Sequence, residues 1–337
     1  MKALLVGAGG MGRVWGKTLG DHADVELAAW VDIRPDAAAL AVEELKLTNV
    51  FTGTDMHKAI ASVQPDFVVD VTPPEIHREV TLAALAAGLP VLGEKPLSDT
   101  LEHAREMVTA SEKAGQLYMV SQNRRFDPRI AAFKGLLSNI GKPEILNADF
   151  YIGAHFEGFR KEMPSPLLLD MSIHTFDAAR YISGADAVSV YCEEFNPTWS
   201  WWKHDACATA LFEMTGGLRY TYRGSWCSDG RHTSWESEWR AVGPLGSATW
   251  DGDQQIIADI VDAPGEGLFV GTKPLHVTPD STDFASGVAG SLREFLRALK
   301  TNTTPMCECH DNFKSLAMVF AAIESAATGR RVPVAQN

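Results

Sequence analysis

The chain is predicted to fold as a doubly wound parallel α/β domain followed by an α+β domain with a large mixed or antiparallel sheet. Three observations predict this. Its 337 residues exceed one ordinary core and suit two. The first third alternates short apolar runs with helical patterns, which specifies parallel strands covered by helices on both faces. After about residue 122 strand-like runs follow one another directly, as expected for antiparallel or mixed pairing. The expected domains are 1–122 and 123–337.

In the first domain, residues 2–7 read as a strand and 11–20 as a helix. Residues 25–32 and 35–45 repeat the pair. Residues 67–72 form an apolar strand interrupted by Asp70, a residue the pattern does not explain. A helix over 75–87 ends at Gly88, a strand covers 91–93, a helix over 101–114 ends at Gly115, and 117–121 closes the series. In the second domain strands are expected at 145–152, 187–195, 207–214 and 218–227, with Thr215-Gly216-Gly217 as a hairpin turn. One helix interrupts them, over 166–183. Ser165 suits its N-cap, Pro166 its first position and Gly184 the residue past its end. Helices near 283–300 and 311–328 finish the chain.

Composition narrows the function. Apolar residues make up 45% and charged residues 22% of the chain, and the net charge is -13. Such a chain is soluble and repels phosphate backbones, and without a basic cluster it offers no nucleic-acid surface. Glycines interrupt the apolar start MKALLVGAGG, so it does not read as a signal segment. No apolar run approaches the roughly 20 residues that span a bilayer, so no membrane partner is expected. Five cysteines, an odd and sparse number, fit a reducing compartment. A cytoplasmic location is expected.

Gly7-Ala8-Gly9-Gly10-Met11-Gly12 matches G-x-G-x-x-G, directly after an apolar strand and opening a helix. In this Rossmann context Gly7 permits the tight turn, Gly9 and Gly10 let backbone N–H groups approach a pyrophosphate, and Gly12 lets the helix pack on the strand. The helix start, with Met11, adds partial positive charge. Asp32, twenty residues after Gly12, is placed to bind ribose hydroxyls and favours NAD, because its carboxylate repels a 2′-phosphate. Arg34 keeps NADP open.

The strand 91–93 runs into Glu94, Lys95 and Pro96. Ligands of open parallel sheets bind beyond the carboxyl ends of the strands, so Lys95 is expected in the same crevice as the cofactor. Thr72 and Pro73, from the neighbouring strand end, are expected to line its nicotinamide side, with His77 and Glu94 also cofactor candidates. The plain alternative is that Glu94 and Lys95 are solvated loop charges. In the helix 166–183, Asp170 and His174 are four apart and share a face, with Asp177 close to it. An Asp–His pair makes a usable general acid or base near neutral pH; a simple helix-stabilising contact is the alternative.

At this point the sequence resembles the Gfo/Idh/MocA oxidoreductase family, which includes glucose–fructose oxidoreductase and inositol dehydrogenase relatives. The resemblance rests on GAGGMG, GEKP, SQNRRFDP, LLLDMSIHTFDAARYISG, and the closing SLREFLRAL and SLAMVFAAIESAATGRRV. It implies that Lys95 bridges cofactor and substrate, that Asp170 helps to position the reacting hydroxyl, and that His174 transfers the proton. Asn123 and Arg124 match the segment joining the domains beside the nicotinamide, and the Lys95–Pro96 peptide is expected to be cis. Two departures concern the substrate side: Met163-Pro164-Ser165-Pro166 stands where relatives often carry glycines, and Ser172 where many have glycine.

The expected activity is NAD(P)-dependent hydride transfer to or from a secondary alcohol of a sugar, glycoside or polyol. Alternatives are glycoside cleavage through transient oxidation, and a non-catalytic dinucleotide-binding regulator. Tyr151, His155 and Arg160 are candidates to edge the substrate pocket, and Trp199-Ser200-Trp201-Trp202 to touch substrate or a subunit. Cys307-Glu308-Cys309-His310 lacks a second ligand pair, so no metal is expected. A homodimer or homotetramer through the second-domain sheet is expected from the resemblance.

Overall fold

The computed structural model of the chain describes residues 1–263, 268–279 and 286–336. The chain divides into two compact units, Met1–Asn123 with Ala285–Phe313, and Arg124–Phe284 with Lys314–Gln336. A single cut after residue 122 therefore does not describe the division, because a C-terminal segment joins the first unit.

The first unit runs β1 (Lys2–Val6), α1 (Gly10–Asp21), β2 (Glu26–Val31), α2 (Ala37–Glu44), β3 (Phe51–Gly53), α3 (Met56–Val63), β4 (Phe67–Asp70), α4 (Pro74–Ala86), β5 (Val91–Glu94), α5 (Leu101–Ala114) and β6 (Tyr118–Ser121). The strands pair in parallel in the order β3-β2-β1-β4-β5-β6. The order reverses between β1 and β4, which opens a crevice at the carboxyl ends of these strands. β3 and α3 are absent from the sequence expectation. The strand has only three residues, none fully buried, and the helix is marked only by Asp55, whose side chain accepts from Lys58 N.

The second unit contains α6 (Pro128–Leu136), β7 (Ile145–Tyr151), α7 (Phe159–Glu162), a π-helical segment Leu167–Ser172, α8 (Ile173–Ser183), β8 (Ala187–Phe195), β9 (Cys207–Met214), β10 (Arg219–Ser225), β11 (Glu238–Gly243), β12 (Gly246–Trp250), β13 (Ile256–Ala263) and β14 (Gly271–Val277). The chain ends with α9 (Gly287–Thr301), α10 (Cys309–Thr328) and β15 (Val332–Pro333). The nine-stranded sheet has the order β14-β13-β12-β11-β7-β10-β9-β8-β15. It is antiparallel except for β7 with β10, which run parallel. Strands β11 to β15 are additions to the sequence expectation. Their buried residues are few and spaced by polar ones, as in Trp239 and Ala241, and β14 exposes most of its length.

Alternation puts Leu146, Ala148 and Phe150 of β7, Tyr220 and Tyr222 of β10, and Ala210 and Phe212 of β9 on the buried face. Phe176 of α8 meets that face edge-on, 4.9 Å from Phe212 and 5.2 Å from Tyr222 between ring centroids. This contact anchors the helix that carries His174.

In the first unit α9 packs on the sheet through Phe295, whose ring lies 5.4 Å from that of Phe67. Ser291 Oγ and Ser121 Oγ are hydrogen-bonded at 3.0 Å, and Lys300 reaches Asp24 at 2.7 Å. Asp283, the expected start of this helix, lies outside the described residues. Among the described residues no helix is long and apolar enough to cross a membrane.

Candidate active site

In the first unit the turn from β1 to α1 depends on two glycines. Gly7 has φ +103°, and a Cβ there would lie 2.8 Å from Val71 O; a Cβ on Gly12 would lie 2.3 Å from Gly7 O. At Gly9 and Gly10 an added Cβ would meet nothing within 4 Å. Gly9 is the N-cap and has no side chain to cap with, so the first-turn N–H groups lack an intrahelical partner, and the space beside Gly9 and Gly10 is open. This is a cradle for an anion, supported by the helix dipole.

Asp32 stands one residue past β2 and is 8% exposed. Its Oδ2 accepts from Ala8 N at 2.6 Å, and Arg34 donates from N and Nε to Oδ1, both at 2.9 Å, and from Nη2 to Oδ2 at 3.0 Å. Burial pushes this carboxyl up, but the bonds from Arg34 and Ala8 outweigh it and bring it down to about 2. The open glycine loop with an ionised carboxylate at the next strand end fits a dinucleotide.

At the ends of β4 and β5 the charges are built in rather than solvated. Glu94 is 7% exposed, and its oxygens accept from Trp15 Nε1 at 2.8 Å and Lys95 N at 3.0 Å. Burial holds its carboxyl above the usual range. Lys95 follows half-buried, and the Lys95–Pro96 peptide is cis. Asp70, unexplained by the sequence pattern, is fully buried and accepts from Thr72 N at 3.0 Å and Thr72 Oγ1 at 2.6 Å. It thus shapes the turn that carries Thr72 and Pro73 into α4. His77 is buried behind this turn. Asn123, at the end of the unit, has a buried Oδ1 without a hydrogen-bond partner among the described residues.

In the second unit the single helix expected over 166–183 is two segments. Asp170 lies in the π-helical stretch and His174 in the first turn of α8. A π-turn inserts an extra residue into the helical repeat and re-aims the side chains on it, so four-residue spacing no longer fixes a shared face. Ser165 is not an N-cap: its φ is +45°, and its hydroxyl donates to Glu194 Oε2 at 2.9 Å. Asp170 accepts from Arg160 Nε at 2.8 Å, and Arg160 lies over the Phe156 ring. His174 is 8% exposed. Asp177 is structural: it accepts from Arg125 Nε and Nη2, both at 2.7 Å, and from Ser315 Oγ at 2.6 Å. Ser172, where relatives often have glycine, donates to Tyr222 Oη at 2.9 Å.

Three of the remaining candidates, Arg124, Tyr151 and His155, bond to one stretch of this unit, residues 229–235. Arg124 is bound to the Trp235 carbonyl and lies 3.6 Å from Glu236 and 3.6 Å from Met171 Sδ. Tyr151 ends β7 and bonds Thr233. His155 is exposed, stacks on Trp201 at 3.6 Å and reaches Asp229 at 3.2 Å. Trp202 belongs to the core, stacked on Trp226 at 5.0 Å, whereas Trp199 is 73% exposed. Back in the first unit, Glu308, Cys309 and His310 bring three donor atoms within 4.8 Å of one another, and His310 also reaches Glu112 at 2.9 Å. Cys307 is not part of that group.

The family model described as "Oxidoreductase family, NAD-binding Rossmann fold" matches residues 1–122. The model described as "GFO/IDH/MocA C-terminal domain" matches residues 138–249. The chain is an NAD-binding oxidoreductase. It belongs to the GFO/IDH/MocA family. It is 25% identical to an inositol 2-dehydrogenase of Rhizobium meliloti (strain 1021), over 98% of either chain. It is 30% identical to a myo-inositol 2-dehydrogenase of Thermotoga maritima, over 57% of this chain and 58% of that protein. An oxidoreductase from Agrobacterium radiobacter, crystallised in complex with NAD+, L-tartaric acid and magnesium, superposes with a TM-score of 0.82. The two are 25% identical, and the match covers 99% of this chain and 98% of that one.

Proposed function

We propose that the chain is an NAD-dependent dehydrogenase for a secondary alcohol of a sugar, glycoside or polyol, with Lys95, Asp170 and His174 as its catalytic residues. The observation that carries this reading is Lys95 at the carboxyl end of β5, in the same sheet whose first loop is an open anion cradle. The names of the inositol dehydrogenase relatives support the substrate class. NAD is preferred over NADP because the ionised Asp32 carboxylate repels a 2′-phosphate.

Bound NAD supplies the hydride acceptor. Lys95 donates a hydrogen bond to the reacting hydroxyl and favours its deprotonation. His174 takes the proton as general base, and in the reverse direction returns it. Asp170, held by Arg160, orients the hydroxyl. Arg124, Tyr151 and His155 contribute to the substrate side, and Thr72, Pro73 and Asn123 to the cofactor side. The protein is further read as a cytoplasmic homodimer or homotetramer. The apolar Ile145, Leu211 and Phe195, exposed on strands of the nine-stranded sheet, support that assembly.

The test is a screen of sugars, polyols and glycosides with NAD, following formation of the reduced cofactor, with His174→Ala in parallel. The variant should lose about 10²- to 10⁴-fold in turnover while keeping its NAD affinity. Unchanged turnover removes His174 as the base, and glycosidic cleavage without net reduced cofactor replaces the dehydrogenase reading.

A further inference from the structure

His77 lies in α4 and is 1% exposed. Its Nδ1 is 2.9 Å from the carbonyl oxygen of Pro96, and its Nε2 is 2.8 Å from the carbonyl oxygen of Thr72. Both partners are pure acceptors. A neutral imidazole carries one N–H, so it could donate to only one of them and would turn a lone pair on the other. Only the imidazolium donates to both.

A buried cation needs counter-charge, and two buried carboxyl groups stand within its electrostatic reach. Asp70 of β4 is fully buried, with Oδ2 lacking any hydrogen-bond partner among the described residues. Burial pushes the Asp70 carboxyl up, and the charge on His77 and the Thr72 bonds oppose that rise. Glu94 of β5 is the second carboxylate within electrostatic reach of His77. From β6 the buried Tyr118 phenol faces Asp70, and burial keeps it neutral. Lys95 in turn lowers the Glu94 carboxyl by its charge.

We propose that His77 is a positioning residue: as an imidazolium it clamps the end of β4 to the segment after β5, and so fixes Lys95 relative to Thr72 and Pro73. The two carbonyls it holds belong to the turns that deliver those residues, one immediately after Lys95 and the other at Thr72 itself. The clamp does not touch substrate. It acts by holding the lysine in register with the cofactor side of the sheet edge, and it rests on the catalytic role proposed for Lys95. Misplacement of a reacting group by about 1 Å costs on the order of 10²-fold in rate.

Two measurements test it. The first uses the unmodified protein: ring ¹⁵N–¹H correlation spectra at neutral pH, with His77 assigned by its absence from the spectrum of His77→Gln or His77→Asn. Two protonated ring nitrogens are expected; a single neutral tautomer overturns the clamp, whether or not any variant is active. The second is kinetic. His77→Gln keeps one donor group and should lose about 10- to 100-fold in kcat with unchanged NAD affinity, and a kcat equal to that of the unmodified protein overturns the proposal. Lys95→Met run beside it separates the two ideas. Full turnover by Lys95→Met removes the role of the lysine on which the clamp rests. An inactive Lys95→Met with a fully active His77→Gln removes the clamp alone.

Discussion

Arg34 grips both carboxylate oxygens of Asp32, from Nε at 2.9 Å and Nη2 at 3.0 Å, while Ala8 N–H closes on the same carboxylate from the glycine loop. The Asp32 carboxylate, held by Arg34 on its own side, therefore joins the end of β2 to the turn after β1 through the Ala8 N–H bond. The sequence alone left Arg34 ambiguous between NAD and NADP. The pair holds the carboxylate ionised and oriented.

Asp32→Ala removes that carboxylate and frees Arg34. NAD binding should weaken by about 10- to 100-fold, the equivalent of roughly 1.5–3 kcal/mol for hydrogen bonds to a charged group, and the gap to NADP should narrow. The folded carboxyl is depressed to about 2, so it is fully ionised above its unfolded value of about 3.9. Its contribution to stability is present above that value and is lost only as pH falls through about 2. NAD affinity measured by fluorescence titration should accordingly carry no Asp32 ionisation between about pH 5 and 8. Undiminished NAD affinity in the variant would remove the ribose assignment.

Glu194 on β8 works in the opposite sense. Burial pushes its carboxyl up to about 7, against the Ser165 hydroxyl bond that lowers it and with the Asp205 charge that raises it. The native state thus holds a proton that the unfolded chain releases near 4.5, and stability should fall as pH rises from about 4.5 through 7. Glu194→Gln removes that dependence. Thermal melts should show the variant more stable than the parent at about pH 8, by roughly 1–2 kcal/mol after discounting for partial exposure, and near parity at about pH 5. Equal melting at both values would place the proton elsewhere.

The parallel sheet was legible because its apolar strands and glycine loop are local signals. The loop, Asp32 and Lys95 each follow from position at a strand end. The short β3 and the half-polar strands β11 to β15 were not legible, because their burial comes from neighbours across the sheet rather than from their own composition. In the sequence Asp70 is an anomaly, and Glu94 is a cofactor candidate with a loop charge as the alternative. Both are buried by partners distant in sequence, Glu94 by Trp15, and His77 gave no local sign of bridging two carbonyls. The π-helical turn at Asp170 was hidden because its residues read as ordinary helix.

That turn separates two aspartates which the sequence placed near one face. Asp177 is sealed in an ion pair with Arg125, their side chains 2% and 7% exposed, and Ser315 completes its acceptor set. Asp170 is bound by the partly exposed Arg160 and lies just before His174 in the chain. The two should respond oppositely to removal. Asp177→Ala removes both carboxylate bonds of the buried Arg125 and should lower stability by about 3–5 kcal/mol; any activity lost should return in proportion to the folded fraction. Asp170→Asn keeps the shape and should melt close to the parent, yet lose about 10²-fold in turnover because the reacting hydroxyl is no longer oriented. Urea unfolding and single-substrate kinetics on the two variants decide it. An Asp170→Asn protein with full turnover would assign that carboxylate to structure, and the proposed catalytic set would shrink to Lys95 and His174.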